Sequence, residues 1–218
     1  MQMQFYSLKK NFGIYLSLIF MLIFSSRAVA VGQDFSRFDL STDAGINEAR
    51  RAMRGKNLSN YGKGCIKRPA ALPEIILVGS FAHDRGCMLE GAFVKKYFLA
   101  AREEDFSRAA LKSLGWQKAD AEAREKIALR WTQFGLLSFG GYPLVKADAE
   151  EDFKDREFQA PQTATDEDKN VAVTLWTRQP AGMRCETNYH RLSFTFSEDG
   201  SLKERKNVEN FSVPCRRN

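Results

Sequence analysis

The sequence predicts an α+β fold, in which two or three α-helices pack against an antiparallel β-sheet that is cross-linked by disulfide bonds. Three strand-like runs near the C-terminus predict a three-stranded meander, and a shorter pair nearer the N-terminus predicts a hairpin. Two segments between them repeat apolar residues at three- and four-residue steps, which is typical of helices. Four cysteines, an even number, provide the cross-links.

Residues 1–30 indicate a secretory signal peptide. A lysine pair precedes an apolar run over residues 14–24, and residues 28–30 (Ala-Val-Ala) fit the small-x-small pattern of a cleavage site. The run is shorter than the ~20 apolar residues that a membrane span requires, although a retained anchor is the alternative. We therefore expect cleavage before Val31, one exported domain over residues 31–218, and no stable membrane span in the mature protein.

The mature chain is expected to be only mildly basic. Its formal charge falls from +6 for the full sequence to about +3 once the three cations of the signal segment are removed. This balance lacks the strong basic stripe of a nucleic-acid-binding protein, and export also separates the protein from nucleic acid. The remaining 188 of the 218 residues are enough for one domain with its own core.

The four cysteines all follow the signal segment. In an oxidising compartment we expect two disulfides, and the spacing along the chain favours Cys65 with Cys87 and Cys185 with Cys215. The other two connectivities remain open at this point. Paired Cys-x-x-Cys spacing is missing from the sequence, so the cysteines are not predicted to bind a metal.

The first element of the mature chain is predicted to be an amphipathic helix. Three suitable N-cap residues, Ser41, Thr42 and Asp43, precede it. The apolar residues that follow at helical spacing are Ile46, Ala49 and Met53. One face of this helix should therefore be buried.

The N-terminal hairpin is predicted from two apolar runs. The continuous run Ile75–Val78 indicates a strand that is buried on both faces. A turn at Asp84–Gly86 and a second strand within Cys87–Leu99 follow it. A helix over that second run is the alternative, but Gly91 and the aromatic and β-branched content favour a strand.

Two helices are predicted in the middle of the chain. The first begins after acidic residues, buries Phe106, Ala110 and Leu114, and ends at Gly115. The second extends from about Ala119 to the glycine pair at 140 and 141. Its predicted apolar stripe consists of Ala119, Ala123, Ile127, Trp131 and Phe134.

A long acidic loop and the meander complete the predicted fold. Residues 141–168 contain two prolines and weak periodicity, so we expect a loop with at most one helical turn. The strands of the meander are predicted at Val171–Trp176, Asn188–Phe196 and Leu202–Val213. The second and third are joined by Glu198–Gly200, whose glycine accepts a positive φ at little cost.

Only two histidines are available for acid–base chemistry. His83 lies beside an acidic residue, in the turn of the predicted hairpin. His190 shares a strand face with Leu192, Phe194 and Phe196, which favours a hydrogen-bonded core residue over a ligand. No sequence motif for a nucleophile, a phosphate loop or a metal site is present, so no catalytic residue and no cofactor are predicted.

The other face of the meander carries the candidate binding residues. Arg178, Arg184, Tyr189 and Arg191 together make a polar and aromatic surface, a composition that is common at interfaces. The predicted function is an exported, non-enzymatic binding protein that acts on a partner in the manner of an inhibitor or immunity protein. One alternative is a carrier that binds a small ligand between helices and sheet, and another is a hydrolase that uses His83 or His190.

Overall fold

Three α-helices and two antiparallel β-sheets form the described part of the chain, which confirms the predicted α+β class. The computed structural model describes residues 33–53, 64–82, 86–101, 105–139, 142–144, 153, 156–179 and 186–214. The predicted hairpin and the predicted meander are both present, but they lie in separate sheets. Each sheet is extended by short strands that have weak sequence signals.

Sheet 1 contains the predicted hairpin. Its strands along the chain are β1 (Gln33–Asp34), β2 (Gly64–Lys67), β3 (Ile75–Ala82), β4 (Gly86–Val94) and β5 (Tyr97–Ala100). Their order across the sheet is β1-β5-β4-β3-β2. The single strand predicted over Cys87–Leu99 is therefore two strands. A turn at Lys95, which has a φ of 56°, separates them.

Sheet 2 contains the meander. Its strands are β6 (Tyr142–Pro143), β7 (Gln162–Thr165), β8 (Val171–Gln179), β9 (Glu186–Phe196) and β10 (Leu202–Pro214). They follow the order β10-β9-β8-β6, and β7 pairs with β8 beside β6. β6 and β7 both fall in the predicted acidic loop, so that expectation is wrong at its two ends. The Gly200 turn is as predicted, with a φ of 88°.

The helices begin and end at local signals in the sequence. They are α1 (Asp43–Met53), α2 (Phe106–Ser113) and α3 (Ala121–Trp131). The hydroxyl of Thr42 accepts a hydrogen bond from the backbone of Gly45, which caps α1. The carboxylate of Asp120 accepts one from Ala123 at 2.8 Å and caps α3. α2 is followed by Gly115, whose φ is 91°.

The main core lies between the two sheets and includes α2 and α3. Both sheets contribute apolar side chains to it: Ile75, Leu77, Ala92, Val94 and Leu99 from sheet 1, and Val171, Val173, Leu175, Leu192, Phe194 and Phe196 from sheet 2. Two tryptophans, Trp116 and Trp131, are fully buried in this core. Because aromatic side chains bury more apolar area than any others, these residues supply much of its stability.

The opposite face of sheet 1 is covered by α1. Ile46, Ala49 and Met53 are buried there, as the periodicity predicts. They pack in a second cluster with Val78, while Leu77 on the same strand faces the main core. The strand at Ile75–Val78 is therefore buried on both faces, which confirms the prediction.

The predicted long helix changes geometry near its end. After Trp131 the chain forms one π-helical turn over Thr132–Leu136, so the helical phase advances more slowly. Phe134, predicted to lie on the buried stripe, is 40% exposed, whereas Leu137 is 4% exposed. The predicted stripe is correct at Ile127 and Trp131 and wrong at Phe134, while Ala119 and Ala123 are only half-buried.

One of the two predicted disulfides lies in the described residues. Cys65 on β2 is bonded to Cys87 on β4, with their Cα atoms 6.3 Å apart. The bond crosses β3 at Gly79, which is the register partner of Cys65. A Cβ atom on Gly79 would overlap the backbone oxygen of Met88 on β4, so the glycine permits the close approach of β3 and β4 beside the bond.

Several predictions fall outside the described residues. They concern the signal peptide over residues 1–30, the turn containing His83, the candidate binding residue Arg184, and the cysteines Cys185 and Cys215. Among the described residues, no helix combines the length and the apolar character needed to cross a membrane.

Candidate interaction surface

The outer face of the meander is the side of sheet 2 that points away from the main core. Backbone register places side chains on this outer face in rows across β8, β9 and β10. One row is Trp176, Arg191 and Glu209, and the next is Arg178, Tyr189 and Phe211. Paired residues of neighbouring antiparallel strands point to the same side of a sheet. The two rows therefore bring aromatic and charged side chains together.

Aromatic side chains cover part of the outer face in a small cluster of their own. The ring of Phe153 lies at the centre, edge-on to four other rings, with centroid distances of 5.0–5.3 Å. We call these four residues the aromatic box: Phe158, Trp176, Tyr189 and Phe211. Edge-to-face contacts at such distances are favourable because the positive edge of one ring meets the negative face of another.

Trp176 differs from the other two tryptophans in its hydrogen bonding. The indole of Trp116 donates to the carbonyl of Glu198 at 2.8 Å, and that of Trp131 donates to the hydroxyl of Ser107 at 3.2 Å. Trp176 is 2% exposed, and its Nε1 has no acceptor within the described part of the chain. A buried donor without an acceptor is uncommon in proteins because it loses its bond to water and gains nothing.

Two arginines that have no partner in the described part of the chain border the aromatic box. Arg178, which is exposed, lies opposite Tyr189, and the half-buried Arg191 lies opposite Trp176. Neither side chain has an ion pair or a hydrogen bond in the residues described here. Glu209, the carboxylate across from Arg191, is instead bonded to Arg156 at 2.8 Å. Among the described residues, the surface therefore presents two guanidinium groups without a paired carboxylate.

The sequence identified only some of this surface. Arg178 and Arg191 lie on the outer face, as predicted. Tyr189 lies on the same face but is 1% exposed, so its predicted exposure is wrong. Its ring is stacked on Phe211 at 4.9 Å and covered by Phe153.

Sequence analysis missed the residues that cover Tyr189. Phe153 lies in an acidic stretch without periodicity, and only its isolated apolar character sets it apart there. Phe211 has a clearer signal, because it lies two residues from Val213 on one face of the last strand. Arg156 carries no pattern of its own, yet its guanidinium lies 4.7 Å from the ring centre of Phe211.

His190 was predicted to be a core residue, but it does not lie in the main core. Its ring is only half-buried, and Nδ1 accepts a hydrogen bond from the amide of Asn207 at 3.3 Å. The main core reaches Leu192 on this strand but does not extend to His190. The register partners of His190 are Thr177 and Asn210, so polar groups surround it at the end of the apolar face.

A second surface feature is an open polar depression of about 690 Å³ at the other end of sheet 2. It is lined by Gln117, Arg124, Asp168, Asn170, Ser197, Glu198, Asp199, Ser201 and Lys203. Several of these groups form hydrogen bonds with one another or with the neighbouring Lys169. A hydrogen bond from Lys169 lowers the pKa of Glu198, and the amide of Asn170 accepts from Lys203 at 3.0 Å. These contacts connect the two turns of the sheet.

Comparisons with known proteins assign no family. No protein-family model matches the chain, and neither a curated protein nor a solved structure is significantly similar to it. Within the described ranges, no group of three or more histidine, cysteine or acidic side chains has the arrangement of a metal site. The functional argument therefore rests on the outer face of the meander.

Proposed function

We propose that the protein is an exported, non-enzymatic binding protein that holds an acidic partner protein on the outer face of sheet 2. The observation that carries the proposal is the pair of arginines, Arg178 and Arg191. They occupy adjacent rows on neighbouring strands and have no partners in the described part of the chain. Diagonal neighbours of this kind are about 7–8 Å apart, so both can contact one acidic segment.

Arginine chemistry favours carboxylates as the recognised groups. A guanidinium presents a planar fork of donors that matches a carboxylate, and such charge-assisted bonds are roughly twice as strong as neutral ones. The strands beneath Arg178 and Arg191 are held by continuous backbone pairing in the meander. A surface that changes little on binding loses less conformational entropy, which suits an inhibitor-like or immunity-like protein.

Export is supported by two features of the chain. The first thirty residues have the pattern of a secretory signal, and the Cys65–Cys87 disulfide is of the kind that persists in an oxidising compartment. We therefore propose the periplasm or the cell exterior as the location of the protein. A partner in that location has to present acidic groups on its own surface.

The carrier and hydrolase alternatives lack a comparable observation. The polar depression is open and lined by charged groups, whereas a carrier for an apolar ligand requires an enclosed apolar pocket. The ring nitrogen of His190 is bonded to the amide of Asn207, not to a carboxylate that would make it a stronger base.

Binding to a fluorescent polyglutamate peptide tests the proposal. The wild-type protein should bind it in low salt and lose affinity as salt is added, because the contacts are ionic. The double variant Arg178→Glu/Arg191→Glu should bind at least about 10-fold more weakly, since it loses two charge-assisted contacts and gains repulsion.

A matched control is available on the other side of the molecule. Arg51 is an exposed arginine on α1, which covers sheet 1, so Arg51→Glu changes the charge without changing the outer face of the meander. It should leave the affinity within about twofold, because its distance from the bound peptide allows screening. The single variants Arg178→Glu and Arg191→Glu change the net charge by the same amount as Arg51→Glu. Equal losses in these three variants would show that only net charge matters, and the proposal would be wrong.

A further inference from the structure

We infer that the aromatic box is a binding pocket for an aromatic side chain next to a carboxylate on the partner, and that Phe153 of the same chain fills it in this structure. The inference rests on the proposed function, because it names the chemistry of the partner at the same outer face. It adds three features to the proposed function: the aromatic box as a site for a ring, an aromatic side chain of the partner as its occupant, and Phe153 as a competitor within the same chain.

Phe153 occupies the box through its side chain. Its ring contacts Phe158, Trp176, Tyr189 and Phe211 edge-on, at centroid distances of 5.0–5.3 Å. Its carbonyl accepts one turn hydrogen bond, from the backbone of Arg156 at 2.8 Å, and it belongs to no described strand. A ring from another molecule would make the same contacts with the box, so the pocket accepts phenyl-sized groups in general.

The bound phenylalanine leaves one polar group unsatisfied. The indole Nε1 of Trp176 is buried and has no acceptor among the described residues. A phenyl ring offers no oxygen, so Phe153 fills the space without meeting this donor. A ligand that carries an oxygen acceptor beside its ring would satisfy both requirements, and this second observation points to a ligand other than Phe153.

The charges around the box identify that acceptor as an anion. Arg191 lies directly opposite Trp176, and Arg178 lies directly opposite Tyr189, so both guanidinium groups, which have no partner among the described residues, border the pocket. A carboxylate placed there can accept from an arginine and from the indole of Trp176 together. The matching segment is a phenylalanine or tyrosine that has an acidic neighbour or is the C-terminal residue.

Phe153 competes with that segment. A partner binds only the fraction of molecules in which Phe153 has left the box, and this fraction lowers the observed affinity. Replacing Phe153 by alanine removes the competitor and leaves a cavity of about the size of the lost ring. Engineered apolar cavities of this kind bind small aromatic molecules. The variant should therefore bind a small aromatic acid more tightly than the wild-type protein does.

The probe is 3-phenylpropionate, a phenyl ring on a short chain that ends in a carboxylate. In the full mature chain we expect Phe153→Ala to bind it at least about 10-fold more tightly than the wild type does. The indole N–H signal of Trp176 should shift in NMR spectra, because that group gains an acceptor. The neutral analogue 3-phenylpropan-1-ol should bind about 10-fold more weakly, since it lacks the charge.

Two matched variants separate the pocket from a general cavity. Phe98→Ala removes a buried ring from the cluster under α1, and it should not bind the probe. Adding Arg178→Gln and Arg191→Gln to Phe153→Ala should remove the preference for the acid over the alcohol. Should Phe153→Ala fail to fold, Phe153→Leu and the wild type are titrated in its place, and they should show the same Trp176 shift at higher probe concentration.

The outcomes distinguish the inference from the proposed function. If none of the folded proteins shows a probe-dependent Trp176 signal, the inference is wrong, whatever the polyglutamate result. Equal binding by acid and alcohol would contradict the anion part of the inference. Polyglutamate binding without probe binding would leave the proposed function in place, whereas probe binding without polyglutamate binding would overturn only the acidic-surface proposal.

Discussion

The indole ring of Trp131 lies against the backbone of Gly135, four residues later in the chain. A Cβ atom on Gly135 would overlap the six-membered ring of the indole. The chain makes its π-helical turn at this point, and the backbone N–H of Leu137 donates to the carbonyl of Thr132 at 3.1 Å. The glycine therefore allows the last turn to close over Trp131, and this closure turns Phe134 towards solvent.

Gly135→Ala should lower the free energy of unfolding by about 1–3 kcal/mol, because a methyl group there has to displace a fully buried indole. Alanine has a higher helix propensity than glycine, worth about 1 kcal/mol, and this gain offsets only part of the loss. Chemical denaturation of the purified variant measures the change. A more stable variant would show that the indole can move at little cost.

Trp131→Ala should cost about 3–5 kcal/mol, because it leaves a large cavity in the main core and removes the hydrogen bond to Ser107. Glu122→Ala on the same helix is the matched control. Its carboxylate forms an exposed ion pair with Lys126, so we expect a change within about 0.5 kcal/mol. Similar losses at both positions in denaturation curves would contradict the helical phase that both the sequence and the structure give.

Elements with a strong period could be predicted from the sequence. The stripe of α1 and the alternation of Leu192, Phe194 and Phe196 each report a buried face directly, and the structure buries those residues. The division into two sheets could not be predicted, because a period shows which face is buried but not which strands pair. The π-helical turn could not be predicted from the sequence either, because it depends on the close contact between Trp131 and Gly135.

The candidate surface was predictable only in part, for a similar reason. The alternation of β9 places Tyr189 and Arg191 on one face, and this is correct. Their difference in burial depends on Phe153, which reaches the sheet from a stretch without periodicity. A single aromatic residue in an acidic stretch has no local pattern that predicts a distant contact, so its role appears only in the tertiary structure.

The contact between α3 and β7 should make stability depend on pH. Thr165 and Thr163 donate hydrogen bonds to the carboxylate of Glu125 at 2.7 and 2.8 Å, and these bonds lower the pKa of Glu125. The unfolded chain, with the ordinary value of 4.5, takes up a proton first as pH falls. The stabilising contribution is therefore complete above pH 4.5 and is lost as pH falls through the lower folded value.

Glu125→Gln should remove this contribution. The difference in the free energy of unfolding between wild type and variant should be largest near neutral pH and should shrink as the pH falls below 4.5. Thr174→Val is a suitable control, because the hydroxyl of Thr174 donates to Ser193 and not to a carboxylate. A difference that stays constant between pH 7 and pH 3 would contradict the proposed linkage.

Cleavage of the predicted signal peptide can be tested by measuring the mass of the exported protein. Expression of the full chain in a bacterium that exports proteins should yield a mature product that begins at Val31, because residues 28–30 form the small-x-small site. Intact mass spectrometry of the secreted or periplasmic fraction measures the N-terminus. Replacing Ala30 by a bulky residue should block processing, and a full-length product from the wild-type gene would contradict the prediction.

The register of the last two strands predicts the second disulfide. Glu186 lies opposite Pro214, and in the sequence Cys185 precedes Glu186 and Cys215 follows Pro214. Continuation of this register by one pair would place the two cysteines opposite each other. Directly opposite residues of antiparallel strands have Cα atoms about 4.5–5.5 Å apart, which is within the range of disulfides. A bond there would close a loop of about 30 residues and contribute roughly 3–4 kcal/mol in the chain-entropy account.

Peptide mapping of unreduced protein should therefore find Cys185 linked to Cys215, and thiol titration of the denatured protein should find essentially no free thiol. The double variant Cys185→Ser/Cys215→Ser should be less stable by about that amount while Cys65 and Cys87 remain bonded. A peptide joining Cys65 to Cys185 would contradict both the register argument and the Cys65–Cys87 bond.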